Sequence, residues 1–253
     1  MGLLQKNLGS AGSLYFGSDT DDGRVFRSSI EWLNSIAIHF SKLSKDYFDH
    51  TDGELVHTYG ERQIHSIVYP AILKSSDVAF AELPVRRKPR GEPEASGRVD
   101  YWAMEGNRTY LLELKHEWNH LQSTSKRQEI KSAWEAVIQQ TKDIRYKTAR
   151  DASVASGKIF VIGLLVVPTY IALSRLEKLE ESTSVGRRTI RDAHENLTNY
   201  TKPDWHACWF LHRDMIEREV NCLMHEKRRE GETKYVHHAV HMIASIREIP
   251  NDA

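Results

Sequence analysis

The feature that most constrains the fold of this chain is the apolar segment "GKIFVIGLLVVPTY" at residues 157–170. Its near-continuous hydrophobicity and its β-branched residues predict a strand that is buried on both faces. Its longest apolar run, "IFVIGLLVV", is too short to span a bilayer. Segments with helical spacing of apolar residues precede and follow it, so helices can cover both faces. The expected fold is therefore α/β, with a central mixed sheet flanked by helices.

The order of the other elements supports this architecture. Two helices, three strands and a long amphipathic helix are predicted in turn at 28–48, 54–73, 79–89, 98–105, 108–118 and 123–151. Residues 29–253 are expected to form one domain, with a core over about 54–168 and a C-terminal elaboration of helices and strands over 169–253. The Gly/Ser/Asp-rich residues 1–28 are expected to form a flexible N-terminal arm.

The composition is that of an ordinary globular protein and limits the possible functions. The 253 residues are 40% hydrophobic and 28% charged, and the formal net charge is zero. Binding of nucleic acid through overall charge is therefore excluded, and any such contact must come from local basic patches. Two cysteines cannot form a disulfide framework. Because the start has no signal-peptide pattern, we expect a soluble, cytoplasmic protein that does not engage a membrane.

Charged residues interrupt two of the predicted strands, where Val, Ile or Thr would be more usual. Glu113 and Lys115 lie two residues apart, so both side chains project from the same face of their strand. The Gly106-Asn107 turn lays the preceding strand alongside and brings Asp100 to that face. Two converging carboxylates repel each other unless a cation lies between them, and oxygen ligands suit Mg²⁺. A lysine beside them could orient a metal-bound water, so the pattern indicates metal-assisted hydrolysis of a phosphodiester.

Asp100 is followed, after twelve intervening residues, by Glu113, a leucine and Lys115. This pattern resembles that of the PD-(D/E)XK nuclease superfamily, which has the restriction-endonuclease-like fold. The resemblance covers roughly residues 54–168, and Val99 stands where the name-giving proline would be. It implies that Asp100 and Glu113 bind Mg²⁺, for which Mn²⁺ can substitute, and that Lys115 positions the attacking water. It also implies an endonuclease or exonuclease acting on nucleic acid, with DNA as the expected substrate and a homodimer as one expected state.

The resemblance implies two further site residues. Glu61, on the helix before the sheet, matches a glutamate that completes the carboxylate set and binds the metal; a surface pair with the histidine four residues later is its alternative role. A glutamine on the helix after the motif corresponds to Gln139 or Gln140, of which Gln139 is taken as the catalytic candidate. Glu82, on the first strand, remains an alternative third carboxylate.

Two basic segments next to these residues are candidates for gripping phosphates, which is the sequence-independent part of nucleic-acid binding. The candidates are Arg86, Arg87, Lys88, Arg90, Arg98, Lys126 and Arg127. The last two begin the helix after the motif, where the helix dipole also favours a phosphate. A solvated loop is the alternative interpretation of the first five.

Two other hypotheses remain open at this point. The chain could be a catalytically inactive nucleic-acid-binding or assembly protein that keeps the nuclease fold, or a structural domain in which the three charged residues form surface ion pairs. The segments "HAC" (206–208) and "CLMH" (222–225) supply the ligand count of a structural zinc site, but their spacing matches no zinc signature, and Cys208 is interpreted as a core strand residue. The histidines of "YVHHAVH" (235–241) are interpreted as a partly exposed helix face, with strand as the alternative for this segment.

Overall fold

The computed structural model describes residues 4–18, 26–87, 95–121, 125–153, 157–173, 183–225 and 234–250. The strands in these ranges are β1 Leu4–Asn7, β2 Ser13–Gly17, β3 Val78–Arg87, β4 Ala95–Glu105, β5 Arg108–His116, β6 Asn119–His120, β7 Ile159–Ala172, β8 Trp205–Phe210 and β9 Tyr235–Ile249. The helices are α1 Arg27–His50, α2 Glu61–Lys74, α3 Ser125–Asp143, α4 Tyr146–Asp151, α5 Thr183–Thr201 and α6 Arg213–His225. Among these helices, none is long and apolar enough to cross a membrane.

The predicted α/β fold with a large mixed sheet is confirmed. Within the described residues, nine strands form one sheet in the order β1-β2-β8-β9-β7-β5-β4-β3, and the short β6 also pairs with β7. Strand β7 runs parallel to β5 and antiparallel to β9. Its side chains are buried along almost its whole length, as the apolar segment at 157–170 predicts. The C-terminal strands therefore complete the sheet around its central strand.

Helices cover both faces of the sheet. On one face, Trp32 of α1 and Ile64 of α2 pack with Phe160 of β7 in the largest apolar cluster. On the other face, Trp134 of α3 packs with Leu165 of β7. Alternate residues of β7 thus serve the two layers, because successive side chains of a strand point to opposite faces.

The N-terminal residues form part of the sheet, so the expectation of a flexible arm over 1–28 is wrong for residues 4–17. Strand β2 pairs with β8 and buries Leu14 and Phe16. The turn between β1 and β2 depends on Gly12, whose φ is +104°. A Cβ at this position would lie only 2.1 Å from the carbonyl oxygen of Phe210. Only glycine tolerates both that conformation and that approach. Composition suggested a loose segment because it did not register the two apolar side chains of β2.

The segment at 235–241 is also corrected. It is the start of strand β9, not a helix, and His241 lies in the buried middle of the sheet. A helix there would have exposed one side, whereas pairing with both β7 and β8 encloses the strand.

Candidate active site

Strands β4 and β5 diverge at the position of the charged residues. Their pairing runs from the hairpin turn as far as Tyr101 opposite Leu112 and then stops. The next residue along each strand is Asp100 on β4 and Glu113 on β5. Beyond the last pair, an Asp100 carboxylate oxygen accepts a hydrogen bond from the Leu114 amide at 2.7 Å. A side chain thus satisfies a backbone donor where the strands separate.

Asp100 and Glu113 face the same side of the sheet. Tyr101 and Leu112 both belong to the apolar cluster under α1 and α2. Because successive side chains of a strand point to opposite faces, the adjacent Asp100 and Glu113 face the layer of α3 and α4. On the neighbouring strand β7, the residue that pairs with Glu113 is Gly163. A Cβ at that glycine would lie 3.1 Å from the Thr141 methyl group of α3, so the small residue lets the helix pack closely beside the carboxylate.

Glu113 is buried, and its electrostatic surroundings are unusual for a strand residue. Burial and the neighbouring Asp100 raise the pKa of Glu113 to about 8, although Arg87 and Lys115 favour its charged form. The Arg87 guanidinium donates a hydrogen bond to Glu113 Oε1 and another to the carbonyl oxygen of Arg98. Arg87 is therefore the cation that Glu113 contacts directly.

Asp100 is only half-buried and belongs to the same group of charges. Burial raises the pKa of Asp100, and the Leu114 amide, His65 and Lys115 oppose that shift, while Glu61 adds to it. The Lys115 ammonium lies 3.2 Å from Glu61 Oε1. Glu61 is the first residue of α2, so the start of this helix delivers it to the cluster.

The structure brings together four of the predicted catalytic residues: Glu61, Asp100, Glu113 and Lys115. The alternative role of Glu61, a pair with His65, does not describe the observed contacts. His65 Nδ1 lies 2.5 Å from the Tyr101 hydroxyl, and Glu61 contacts Lys115 instead.

The predicted glutamine occupies a different position. Gln139 is exposed on α3 and donates to Asp143 on the same helix at 2.8 Å. Gln140 is half-buried, and among the described residues its Oε1 has no hydrogen-bond partner. The geometry therefore favours Gln140 over Gln139 as the glutamine on the inner side of the helix, because the 3.6-residue period turns the two in different directions.

Glu82 has a strained backbone beside the site. Its φ is +59°, in the left-handed region, although it lies inside β3 between residues paired with Val99 and Tyr101. Glu82 thus lies across from Asp100, and its exposed side chain pairs with Arg98 at 3.2 Å. A non-glycine residue held in this conformation costs about 1–3 kcal/mol, and such positions cluster at functional sites.

A cleft of about 900 Å³ lies beside Arg87, the partner of Glu113. Among the described residues its lining is basic, with Arg86, Arg87, Arg145 and Lys147 against one acid, Asp151. Arg87 both lines the cleft and contacts Glu113, so this one side chain connects the cleft with the buried carboxylate. An anionic chain in the cleft would therefore meet the arginine that contacts Glu113.

Sequence reasoning missed Arg145 and Lys147. The segment 123–151 was predicted as one helix, but α3 ends at Asp143 and α4 begins at Tyr146, with extended backbone at Arg145. The break lets α4 lie along β3, where the Thr148 hydroxyl donates to the carbonyl oxygen of Arg86 at 2.9 Å. Ile144 gave no signal of this break, because it lies three residues after the buried Thr141 and so continues the helical spacing.

The other predicted phosphate contacts are dispersed. Arg86 and Arg98 are exposed near the cleft, whereas Arg127 lines a separate cavity of about 160 Å³ with Asn196 and Tyr200 of α5. Lys88, Arg90 and the side chain of Lys126 lie outside the described residues.

A second polar cluster lies under α5. His194, Cys208 and His241 are buried there, with one donor atom of each within 4.8 Å of the others. Cys222 is elsewhere: its thiol is exposed and donates to the carbonyl oxygen of Asp52. The two cysteines therefore do not belong to one ligand set, and Cys208 is a buried strand residue as predicted, with histidines beside it.

Comparisons with family models, curated proteins and solved structures give no match for this chain. The chemistry of the first cluster therefore follows from its side chains. Two carboxylates, an ammonium group with its own carboxylate partner and a basic cleft are the components needed to bind a divalent cation beside a phosphate chain.

Proposed function

We propose that this chain is a Mg²⁺-dependent nuclease that hydrolyses phosphodiester bonds of DNA, and that its central elements form a restriction-endonuclease-like core. The observation that carries the proposal is the convergence of Asp100 and Glu113 on one face at the point where β4 and β5 separate, with Lys115 beside them. The order α2, β3, β4, β5, α3, β7, interrupted only by the short elements β6 and α4, agrees with that core.

The residues present fit a hard divalent cation. Asp100 and Glu113, with Glu61 close by, offer only carboxylate oxygens, which Mg²⁺ and Mn²⁺ prefer. The raised pKa of Glu113 shows how strongly burial and Asp100 disfavour a bare charge there. A divalent cation would relieve that repulsion, and once bound it would activate water and offset charge on the phosphate.

Lys115 and Glu61 act as a pair in this proposal. The ammonium of Lys115 offers three donors, of which Glu61 engages one at 3.2 Å. The remaining donors can hold the attacking water or a phosphate oxygen. Glu61 limits the motion of the lysine side chain and so keeps its charge beside Asp100.

The basic cleft supplies the binding energy for the nucleic-acid backbone. Arginine guanidinium groups bind phosphate oxygens in pairs, and the cleft presents them from β3 and from the short break before α4. These contacts are independent of sequence. A substrate held there would contact Arg87, the residue that also contacts Glu113.

One observation favours a second candidate function, a nucleic-acid-binding or assembly protein that does not cleave. Arg87 already contacts Glu113, and a permanent ion pair would leave this carboxylate unable to bind a metal. The two candidates differ in a measurable way, since only the nuclease needs Glu113 free of its arginine.

The test incubates the full chain with plasmid and with single-stranded DNA, in Mg²⁺ and in EDTA. Cleavage is expected in Mg²⁺ alone and should disappear in Asp100→Asn, Glu113→Gln and Lys115→Ala. The matched controls are Glu105→Gln, on the same hairpin as Glu113, and Lys158→Ala, next to β7; both should cut like the unmodified chain.

Two results would reject the nuclease. The first is an unmodified chain that binds DNA in gel-shift measurements but cuts neither substrate, which would leave the non-cleaving candidate. The second is equal cutting by the three site variants, which would attribute the activity to another site or to a contaminant.

A further inference from the structure

The cluster under α5 has no part in the proposed nuclease chemistry. Cys208 of β8 and His241 of β9 are directly paired across the two strands, and His194 projects onto them from α5. Their exposed fractions are 1%, 0% and 2%. Three polar side chains have thus been removed from water at one place, which is costly unless they interact.

The distances within the cluster are short. His194 Nδ1 lies 3.0 Å from His241 Nδ1, and His194 Nε2 lies 2.8 Å from His206 Nδ1. His241 Nε2 is buried and has no hydrogen-bond partner among the described residues. A neutral imidazole carries only one N–H, so whichever tautomers form these contacts, one nitrogen of His241 is left unsatisfied.

The donor atoms of the cluster suit a metal. The contact between His194 Nδ1 and His241 Nδ1 requires that at least one of these nitrogens carries no proton and presents a lone pair. Neutral imidazole is the form that ligates metals. The Cys208 thiol is buried beside these rings and supplies a sulfur donor.

We propose that His194, Cys208 and His241 bind one Zn²⁺ ion that fixes α5 to strands β8 and β9. Nitrogen and sulfur donors select zinc over Mg²⁺, and the three side chains supply three of the four positions of its tetrahedron. On binding, the Cys208 sulfur bonds to zinc and its proton passes to solvent.

Binding an ion requires a small contraction of the cluster. Nitrogen and sulfur donors of one tetrahedral zinc lie roughly 3.3–3.6 Å apart, whereas the donor atoms of the three side chains lie within 4.8 Å of one another, so they need to approach by about 1 Å. His206 then accepts a hydrogen bond from the outer nitrogen of His194, which is the usual support for a metal-ligating histidine.

The ion would hold a helix that has little apolar contact of its own. Among the described side chains of α5, the buried apolar ones are Ile190 and Leu197, and most of the others are exposed. A bond from His194 to the sheet through zinc would replace packing that this helix lacks.

The experiment measures zinc in the purified full chain by atomic emission, and then the thermal midpoint after treatment with a strong chelator. About one zinc ion per chain is expected. Its removal should lower Tm by about 5 °C or more, and added Zn²⁺ but not Mg²⁺ should restore it. Replacement by Co²⁺ should give a thiolate-to-cobalt absorption band in the near ultraviolet.

Matched variants locate the site. Cys208→Ser should lose the cobalt band and most of the zinc, whereas Cys222→Ser, which changes the exposed cysteine, should retain both. The same comparison can be made with His194→Gln and the more exposed His212→Gln. A chelator-treated unmodified chain that takes up no Zn²⁺ or Co²⁺ and keeps its Tm would overturn the proposal, as would a cobalt band that persists in Cys208→Ser. Neither readout depends on nuclease activity.

Discussion

Two polar clusters lie on the same face of the sheet and differ in donor type and in access. The first, at Asp100 and Glu113, has carboxylate oxygens where two strands separate, and it adjoins a basic cleft. The second, at His194, Cys208 and His241, has nitrogen and sulfur donors and is sealed under a helix.

This difference suits the two sets of buried polar side chains to different roles. Oxygen donors beside an open cleft suit a hard cation that exchanges and meets a substrate. Nitrogen and sulfur donors enclosed by a helix suit a tightly held ion that stabilises the fold. Four predictions, from the largest expected effect to the smallest, concern the first cluster and the features that set it apart from the second.

The largest effect is expected from Asp100→Asn. Loss of this carboxylate should lower kcat for DNA cleavage by about 100-fold or more, because it removes a proposed metal ligand. Asp204→Asn is the matched control: Asp204 is also half-buried and accepts a hydrogen bond from a strand amide, that of Ile246, at 2.6 Å. Cleavage assays should show activity lost only in the first variant. An equal loss in both would indicate that strand geometry, not the metal site, limits the rate.

The second prediction concerns Arg87. Its removal in Arg87→Gln leaves the buried Glu113 carboxyl group without its arginine donor and should lower the free energy of unfolding by about 1–3 kcal/mol. Urea denaturation should show part of this loss recovered in Mg²⁺. Arg98→Gln, which breaks the exposed pair with Glu82, should change stability by less than about 1 kcal/mol. A failure of Mg²⁺ to stabilise Arg87→Gln would favour the non-cleaving candidate.

The third prediction is a pH dependence of stability. The folded chain holds the Glu113 proton until about pH 8, whereas the unfolded chain releases it near 4.5. Between these values the folded state binds more protons, so Glu113 should make stability fall as pH rises, by at most about 1.4 kcal/mol per pH unit. Denaturation at about pH 5 and about pH 8 should show a smaller fall in Glu113→Gln than in Glu105→Gln. Identical slopes in these two variants would contradict the shifted pKa.

The smallest effect is expected at the rim of the cleft. Arg86→Ser should weaken DNA binding equally for all sequences. It should also reduce the slope of the logarithm of the binding constant against the logarithm of salt concentration by about 1. Arg127→Ser is the control, because Arg127 lines the separate cavity beside α5. If the two variants behave alike, the nucleic acid extends across both regions and the cleft alone does not define the path.

Much of the first cluster could be predicted from the sequence because its determinants are local. The spacing of Glu113 and Lys115 sets a common face, and a hairpin turn lays Asp100 beside them. Glu61 was found through its place before the sheet, but its contact with Lys115 depends on how α2 packs. Arg145 was missed because a helix break decides its position.

The second cluster could not be predicted in the same way. His194 and His241 are 47 residues apart, and strand pairing between β8 and β9 brings Cys208 to His241. No local spacing encodes such a pairing. The histidines of β9 were interpreted as a partly exposed helix face because the sequence of a segment shows the spacing of its apolar residues but not the strands that will pair with it.

The sequence by itself determined the buried central strand, the α/β class and the convergence of the three charged residues, since periodicity and turn chemistry act over a few residues. Only the tertiary structure decided that β1 and β2 join the sheet, that Arg87 contacts Glu113 and that a helix closes over Cys208. These contacts join residues far apart in the chain, and their register is selected by packing of the whole core.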